Sequence, residues 1–437
     1  MQMKKYKLGE LMEVTRGMSL GGEFYSTKGE LMRLTLGNFD YKNNCFKDDK
    51  SKDNLFFTGA VKPEFILKKD DIITPLTEQA IGLLGSTAKI PCDGKYIQSQ
   101  DVALIKCNEK LNPNFAFYLI PSKLVRNQLS AAAQQTKIRH TSSDKIKDCT
   151  VWIPEYSSQE KIGNFLSSLD KKIALNNRIN AKLEQMAKRL YDYWFVQFDF
   201  PRSVSGEPGL HELSRTDDGK PRSDFPNENG KPYKSSGGKM VYSAELKREI
   251  PTGWEVRKLS DIANITMGQS PDGTSYNENG DGVIFYQGST DFGNRFPVVR
   301  MYTTSPTRFA KKGDILMSVR APVGTMNIAN TNCCIGRGLA ALNSKIGSIM
   351  HLWYLMDVFK HTFENKNSAG TTFGAITKDE LFNLLVIIPP KNIISSFDEK
   401  TISIFNYQLS IEQESAKLTA LRDKLLPLLM NGQVEII

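Results

Sequence analysis

The chain has 437 residues, of which 40% are hydrophobic and 24% charged; that is the balance of a folded chain of two or three domains, and it excludes wholesale disorder. Lysine and arginine number 57 against 48 acidic residues, a net charge of +9, which suits a polyanionic partner, nucleic acid or a membrane surface, as well as an ordinary basic soluble protein. The longest apolar runs, such as Leu384 to Ile388, are far too short to span a bilayer.

In chain order, Lys7-Leu8-Gly9-Glu10-Leu11 leads into Thr15-Arg16-Gly17, and the same features return as Lys258-Leu259-Ser260-Asp261-Ile262 leading into Thr266-Met267-Gly268. Lys68-Lys69-Asp70-Asp71-Ile72 returns as Lys311-Lys312-Gly313-Asp314-Ile315, and Ile81-Gly82 followed by Ile90 returns as Val323-Gly324 followed by Ile328. Thr136 to Pro154 matches Thr371 to Pro389 in length, with Ile146, Val151 and Ile153 in step with Leu381, Val386 and Ile388. The same order in both halves marks a diverged tandem duplication. Within the halves, Asp71 to Thr74, Val102 to Lys106, Asp314 to Ser318 and Leu384 to Ile388 read as buried strands, and Asn114 to Gln128 and Ile346 to His361 as helices. Each half is therefore a mixed α+β domain of about 150 residues.

A different segment follows each half. From Gln159 to Phe195 the apolar residues Ile162, Leu166, Leu169, Ile173, Ile179, Leu183, Met186, Leu190 and Trp194 step mostly by three and four, as in a coiled-coil seam, with Asn176 near the interrupted middle. Such a helix would reach about 55 Å, longer than a typical domain helix. Phe397 to Met430 repeats the device with Phe405, Leu409, Leu418, Leu421, Leu425 and Leu428, and two such seams in one chain are expected to pair antiparallel. Asn176 either fixes the register of that pair or faces solvent. Between Phe200 and Met240 the Gly- and Pro-rich composition predicts a loop or spacer rather than a core element.

The sequence offers no recognisable catalytic motif. There is no Asn/Asp-Pro-Pro-Tyr/Phe methyltransferase motif, and no Gly-Lys pair is followed by Ser or Thr, so there is no P-loop. The histidines His140, His211, His351 and His361 lack metal-ligand spacing; the first two are expected in loops and the last two on helix surfaces. The six cysteines form no Cys-x-x-Cys pair and read as reduced thiols, and Met1 to Glu10 carries lysines without a following apolar run. A cytoplasmic, non-catalytic protein without cofactor or metal is expected.

Specific residues carry a family resemblance. Leu175-Asn176-Asn177-Arg178-Ile179-Asn180, then Leu183-Glu184, then Leu190-Tyr191-Asp192-Tyr193-Trp194-Phe195-Val196-Gln197-Phe198-Asp199-Phe200-Pro201 resembles the central helix and exit of the specificity subunit of type I restriction–modification systems. Asn227 to Gly238, then Ile250-Pro251 and Gly253-Trp254, resembles that family's lead into its second target-recognition domain, and Leu421-Arg422-Asp423 with Leu425 to Gly432 resembles the end of its distal helix. The resemblance spans essentially the whole chain; Arg202 to Ser223 departs from the family pattern.

The resemblance implies two pseudo-repeated α/β target-recognition domains, 1–155 and 251–391, separated by a pair of long antiparallel helices, the central at 156–198 and the distal at 392–437, with a Gly/Pro-rich linker at 199–250. It implies a subunit that recognises double-stranded DNA, binds two methyltransferase subunits, and joins restriction/translocase subunits, without membrane attachment. The halves differ where the repeat otherwise aligns: Gln135-Thr136-Lys137-Ile138-Arg139-His140 stands against Gly370-Thr371-Thr372-Phe373-Gly374-Ala375, and Gln98-Ser99-Gln100-Asp101 stands near Ile335-Gly336-Arg337-Gly338. Different loops on one scaffold predict two different half-sites in a split, asymmetric target, read in the major groove.

The expected DNA-binding residues are Gln98, Gln135, Thr136, Lys137, Arg139, Arg320, Arg337, Thr371 and Thr372, with Arg33 a weaker candidate. Tyr191, Tyr193 and Trp194 either dock a methyltransferase subunit or close the helix core. Two other readings stand beside this one: a self-contained DNA modification or restriction enzyme with an unrecognised motif, and a coiled-coil scaffold without DNA affinity. The helix pair, if it spaces the domains, would place half-site centres between one and two turns of DNA apart.

Overall fold

The computed structural model describes all residues except 1, 42, 50, 79–81, 133–138, 203–229, 369–373 and 437. The chain divides into two compact units, one formed by residues 1–178 with 411–437 and the other by 179–410.

The first unit is built on a four-stranded antiparallel sheet in the order Met12–Arg16, Val102–Cys107, Ile72–Pro75, Ala88–Lys89. Its apolar strand Val102–Cys107 lies between two neighbours, with Ile105 paired to both Val14 and Ile72. The second unit repeats the plan as Ala263–Met267, Leu339–Ser344, Ile315–Ser318, Met326–Ile328, with Leu342 paired to both Ile265 and Ile315. Each unit adds an antiparallel ribbon, Lys4–Lys7 with Thr150–Ile153 and Glu255–Lys258 with Leu385–Ile388. A second sheet in each contains one parallel pair, Tyr96–Ile97 with Met32–Arg33 and Val283–Tyr286 with Cys333–Ile335.

The repeated motifs are side-chain turns. In Lys68 to Asp71 the Asp71 carboxylate accepts from the Lys68 amide at 2.8 Å, and in Lys311 to Asp314 the Asp314 carboxylate accepts from the Lys311 amide at 2.7 Å. Asp93 and Asn332 cap the next amide, that of Lys69 or Lys312, at 2.9 Å in both units. Glu10 and Asp261 accept from the Lys7 and Lys258 amides at 3.1 and 3.2 Å. Ser142 and Thr377 cap the short helices Ser143–Asp148 and Lys378–Phe382 through their hydroxyls.

The central helix runs Tyr156–Tyr191 and continues as a π-helical turn, Asp192–Val196; the distal helix runs Lys391–Met430. In the first unit they pair antiparallel, Asp170 meeting Arg422 and Asn176 meeting Glu414 and Ser415. In the second, Glu184 meets Gln408, while Tyr191 packs on Phe397 with ring centroids 5.9 Å apart. The seam is more polar than the apolar spacing predicts. Met186 and Leu421, expected inside, are 58% and 43% exposed. Ala187 is buried in place of Met186, and the buried distal positions Thr401, Gln408 and Ser415 fall seven residues apart.

Other expectations need correction. His351, expected on a helix surface, is buried against the Tyr191 and Phe195 rings. Asn114 to Gln128 is two helices, Pro113–Leu119 and Lys123–Ala132. The stretch expected as a spacer also supplies core: Tyr233 stacks on Phe200 at 4.6 Å, Phe200 stacks on Trp254 at 5.1 Å, and a hairpin joins Met240–Ser243 to Arg248–Pro251. His211 and the departure at Arg202 to Ser223 fall outside the described residues apart from Arg202 itself. All six cysteines are free.

Candidate nucleic-acid interface

In each unit three chain segments converge at one end of the main sheet. In the first, the Leu76 amide donates to the Asp101 carbonyl at 2.8 Å and the Thr141 amide to the Leu76 carbonyl at 2.9 Å. In the second, the Val319 amide donates to Gly338 and the Ile376 amide to Val319, at 2.9 and 3.0 Å. The register is therefore the same: Thr77 pairs with His140 as Arg320 pairs with Ala375.

Beside this bridge lies a tight turn. The Met18 amide donates to the Gln98 carbonyl at 3.1 Å, and the Gln269 amide to the Ile335 carbonyl at 3.0 Å. The turns close through Val102 to Ser99 at 3.0 Å and Leu339 to Gly336 at 2.9 Å. Glycine is required where the neighbouring strand passes: a Cβ on Gly17 would sit 2.3 Å from the Ser99 carbonyl oxygen, and one on Gly268 2.2 Å from that of Gly336. Ser99-Gln100-Asp101 and Gly336-Arg337-Gly338 are thus equivalent turns, with Gln100 and Arg337 at the same position, both exposed.

The type I restriction modification DNA specificity domain family matches residues 2–185 and 251–419. The chain belongs to this family. Over 400 residues it is 27% identical to the proposed type I restriction enzyme MjaX specificity subunit of Methanocaldococcus jannaschii, covering 87% of this chain and 83% of that one. It is 26% identical over 378 residues to the type I restriction enzyme HindI specificity subunit of Haemophilus influenzae, covering 78% of this chain and 81% of the relative. The crystal structure of a type I restriction–modification S subunit from M. genitalium shares the fold, with a TM-score of 0.58 at 14% identity over 98% of this chain and 96% of that one. This specificity subunit is a DNA target-recognition component and not an enzyme. Its two recognition domains, of mixed α/β content, are joined by the long central helix.

The specificity subunit places its expected DNA-binding residues unequally. Arg320 and Arg337 are exposed, and their guanidinium groups make no hydrogen bond or ion pair among the described residues. The two lie on adjoining backbone, because the Val319 amide donates to Gly338. Gln98 does not face outward. It is 1% exposed, and its amide donates to the Thr15 and Val102 carbonyls at 2.7 and 3.1 Å, so it holds the turn. Arg33, also buried, donates to the Asn54 carbonyl and lies 3.9 Å over the Tyr25 ring. Gln135, Thr136, Lys137, Thr371 and Thr372 lie outside the described residues; Arg139 is described only by its backbone, in the bridge to Glu78.

Tyr191 and Trp194 are 3% and 2% exposed within the core of the second unit, and of the three aromatics put forward for docking only Tyr193, at 40%, faces outward. Burial drives them there: the π-helical turn carries Trp194 and Phe195 onto Phe397.

Sequence reasoning passed over Gln100, and also Thr77, whose hydroxyl donates to Asp101 at 3.3 Å and lies 3.3 Å from His140 Nδ1. The sequence put the two tetrapeptides near each other in the repeat; the backbone hydrogen bonds set Gln100 opposite Arg337. Among the described residues no group of three or more His, Cys, Asp or Glu side chains is placed to hold a metal ion, and no helix is long and apolar enough to cross a membrane.

Proposed function

We propose that this specificity subunit reads a split, asymmetric double-stranded DNA site in the cytoplasm, one half-site per domain, and directs two methyltransferase subunits and the restriction/translocase subunits to it. The observation that carries the reading is the shared sheet end with unshared side chains. One backbone register presents Thr77, Gln100 and His140 in the first unit and Arg320, Arg337 and Ala375 in the second. Thr77 is buried, but the equivalent frames expose Gln100 and His140 in one unit and Arg320, Arg337 and Ala375 in the other, which suits two different base sequences.

Arg320 and Arg337 are proposed DNA contacts, as are Gln135, Thr136, Lys137, Arg139, Thr371 and Thr372. Tyr193 is proposed to contact a methyltransferase subunit.

The test is domain exchange. Residues 1–155 are replaced by the matching domain of a relative, the chimera is co-expressed with its methyltransferase subunits, and the methylated motif is sequenced. One half-site should change and the other stay. A change in both half-sites, or methylation by the isolated chain, would overturn the reading.

A further inference from the structure

The paired turns point to the bases that each domain selects. Resting on the DNA-recognition reading above, we propose that Arg337 and Gln100 are equivalent base-reading residues, Arg337 selecting a guanine in one half-site and Gln100 an adenine in the other.

A reading residue needs a backbone held in place and a side chain left uncommitted. Both turns meet the first condition through the same contacts: strand backbone packed against Gly17 or Gly268, a backbone amide donating to the residue before the turn, and a closing backbone hydrogen bond at 3.0 or 2.9 Å. Both meet the second, for neither the Gln100 amide group nor the Arg337 guanidinium has a hydrogen-bond partner among the described residues. The neighbours are committed instead. Gln98 is spent on two backbone carbonyls and Thr77 on Asp101.

Chemistry then separates the two. A guanidinium offers two parallel donors, which match the O6 and N7 acceptors of guanine in the major groove. A carboxamide offers one donor and one acceptor, which match N7 and N6 of adenine. Charge around the two turns differs. Asp101 follows Gln100, while the Arg16 guanidinium donates to the Gln100 carbonyl at 2.8 Å, so opposite charges flank an uncharged side-chain amide. The corresponding neighbour of Arg337 is Gly338, and Arg320 lies alongside, so the second turn gathers positive charge around an arginine free to reach a base.

The experiment uses the full chain with its methyltransferase subunits and compares the methylated motifs and DNA-binding profiles of wild type, Arg337→Lys, Arg337→Gln and Gln100→Arg. Arg337→Lys keeps the charge and the exposed position, so folding is preserved while the two-pronged contact is lost. It should relax one guanine position by about tenfold or more and leave the salt dependence in place. Arg337→Gln should move that same position toward adenine, and Gln100→Arg should move an adenine of the other half-site toward guanine. If Arg337 merely holds a phosphate, Arg337→Lys will leave the motif intact and Arg337→Gln will weaken every sequence equally; that result overturns the assignment. So does a shift at a position where wild type selects another base. A wild-type complex with no sequence-specific motif would remove the recognition reading itself, and this assignment with it.

Discussion

Asn176 of the central helix donates from Nδ2 to the Glu414 carboxylate of the distal helix at 2.8 Å, and to the Ser415 hydroxyl at 3.1 Å, while being only 1% exposed. The seam residue that could have faced solvent is therefore buried, its Nδ2 paired across the seam, and these bonds favour this alignment of the two helices. Lys172 also reaches Glu414, at 3.2 Å, and these bonds hold the Glu414 carboxyl below its usual range.

Asn176→Ala removes both bonds. It should lower the stability of the first unit by about 1–2 kcal/mol, measured by urea unfolding. A loss near zero would mean that the pairing is decided elsewhere along the seam.

Glu184 is the corresponding point in the second unit. Its carboxylate takes an ion pair from Arg295, the Gln408 amide at 3.0 Å and the Trp353 indole at 3.3 Å. Burial alone would raise its pKa, yet the Arg295 charge and these hydrogen bonds hold it below the usual carboxylate range. Glu184→Leu takes the carboxylate from the Arg295 guanidinium, whose side chain is 7% exposed and keeps its contacts with the Trp353 and Phe405 rings. The expected cost is about 2–4 kcal/mol by chemical denaturation, short of a fully enclosed pair because 35% of the Glu184 side chain meets solvent.

His351 provides a pH signature. Burial lowers its pKa from 6.5 to about 4. The unfolded chain takes up the proton as pH falls below 6.5 while the folded chain resists until about 4, so stability present above 6.5 is lost through that window. The slope is about 1.4 kcal/mol per pH unit at its steepest. His351→Phe should flatten the thermal-stability profile between pH 6.5 and 4 by that amount; an unchanged profile would show that carboxylates alone govern the acid limb.

Gly17 and Gly268 permit a paired comparison. Placing a Cβ at either drives it against a carbonyl oxygen, at 2.3 and 2.2 Å, and the strand must shift. Gly17→Ala and Gly268→Ala should each cost about 1–3 kcal/mol. Each should also blur one half-site only, as read from the methylated motif of a complex assembled with the variant.

Most of the fold was legible because its punctuation is local. Lys68 to Asp71 and Lys311 to Asp314 form their bonds within four residues, so spacing alone reveals them, and the strands that follow are simple apolar runs. The seam was less legible: Asn176, Asn180, Gln408 and Ser415 interrupt an apolar count, although they keep the stepping of three and four. Burial decided by distant partners could not be read at all. Gln98 and Gln100 are the same residue type two positions apart, yet one holds backbone and the other faces outward. His351 resembles a surface histidine until the rings of Tyr191 and Phe195 enclose it.

The Asp71 and Asp314 turns also bear on how such a chain changes over generations. Their bonds span three residues, so they form early in folding at little entropic cost and do not depend on what the sheet end displays. A lineage can then replace exposed side chains such as those at positions 100 and 337 without disturbing the steps that lead to the folded domain. If those side chains read bases as proposed, new target sequences become accessible by small mutational moves, and the frame inherited by both halves survives each of them.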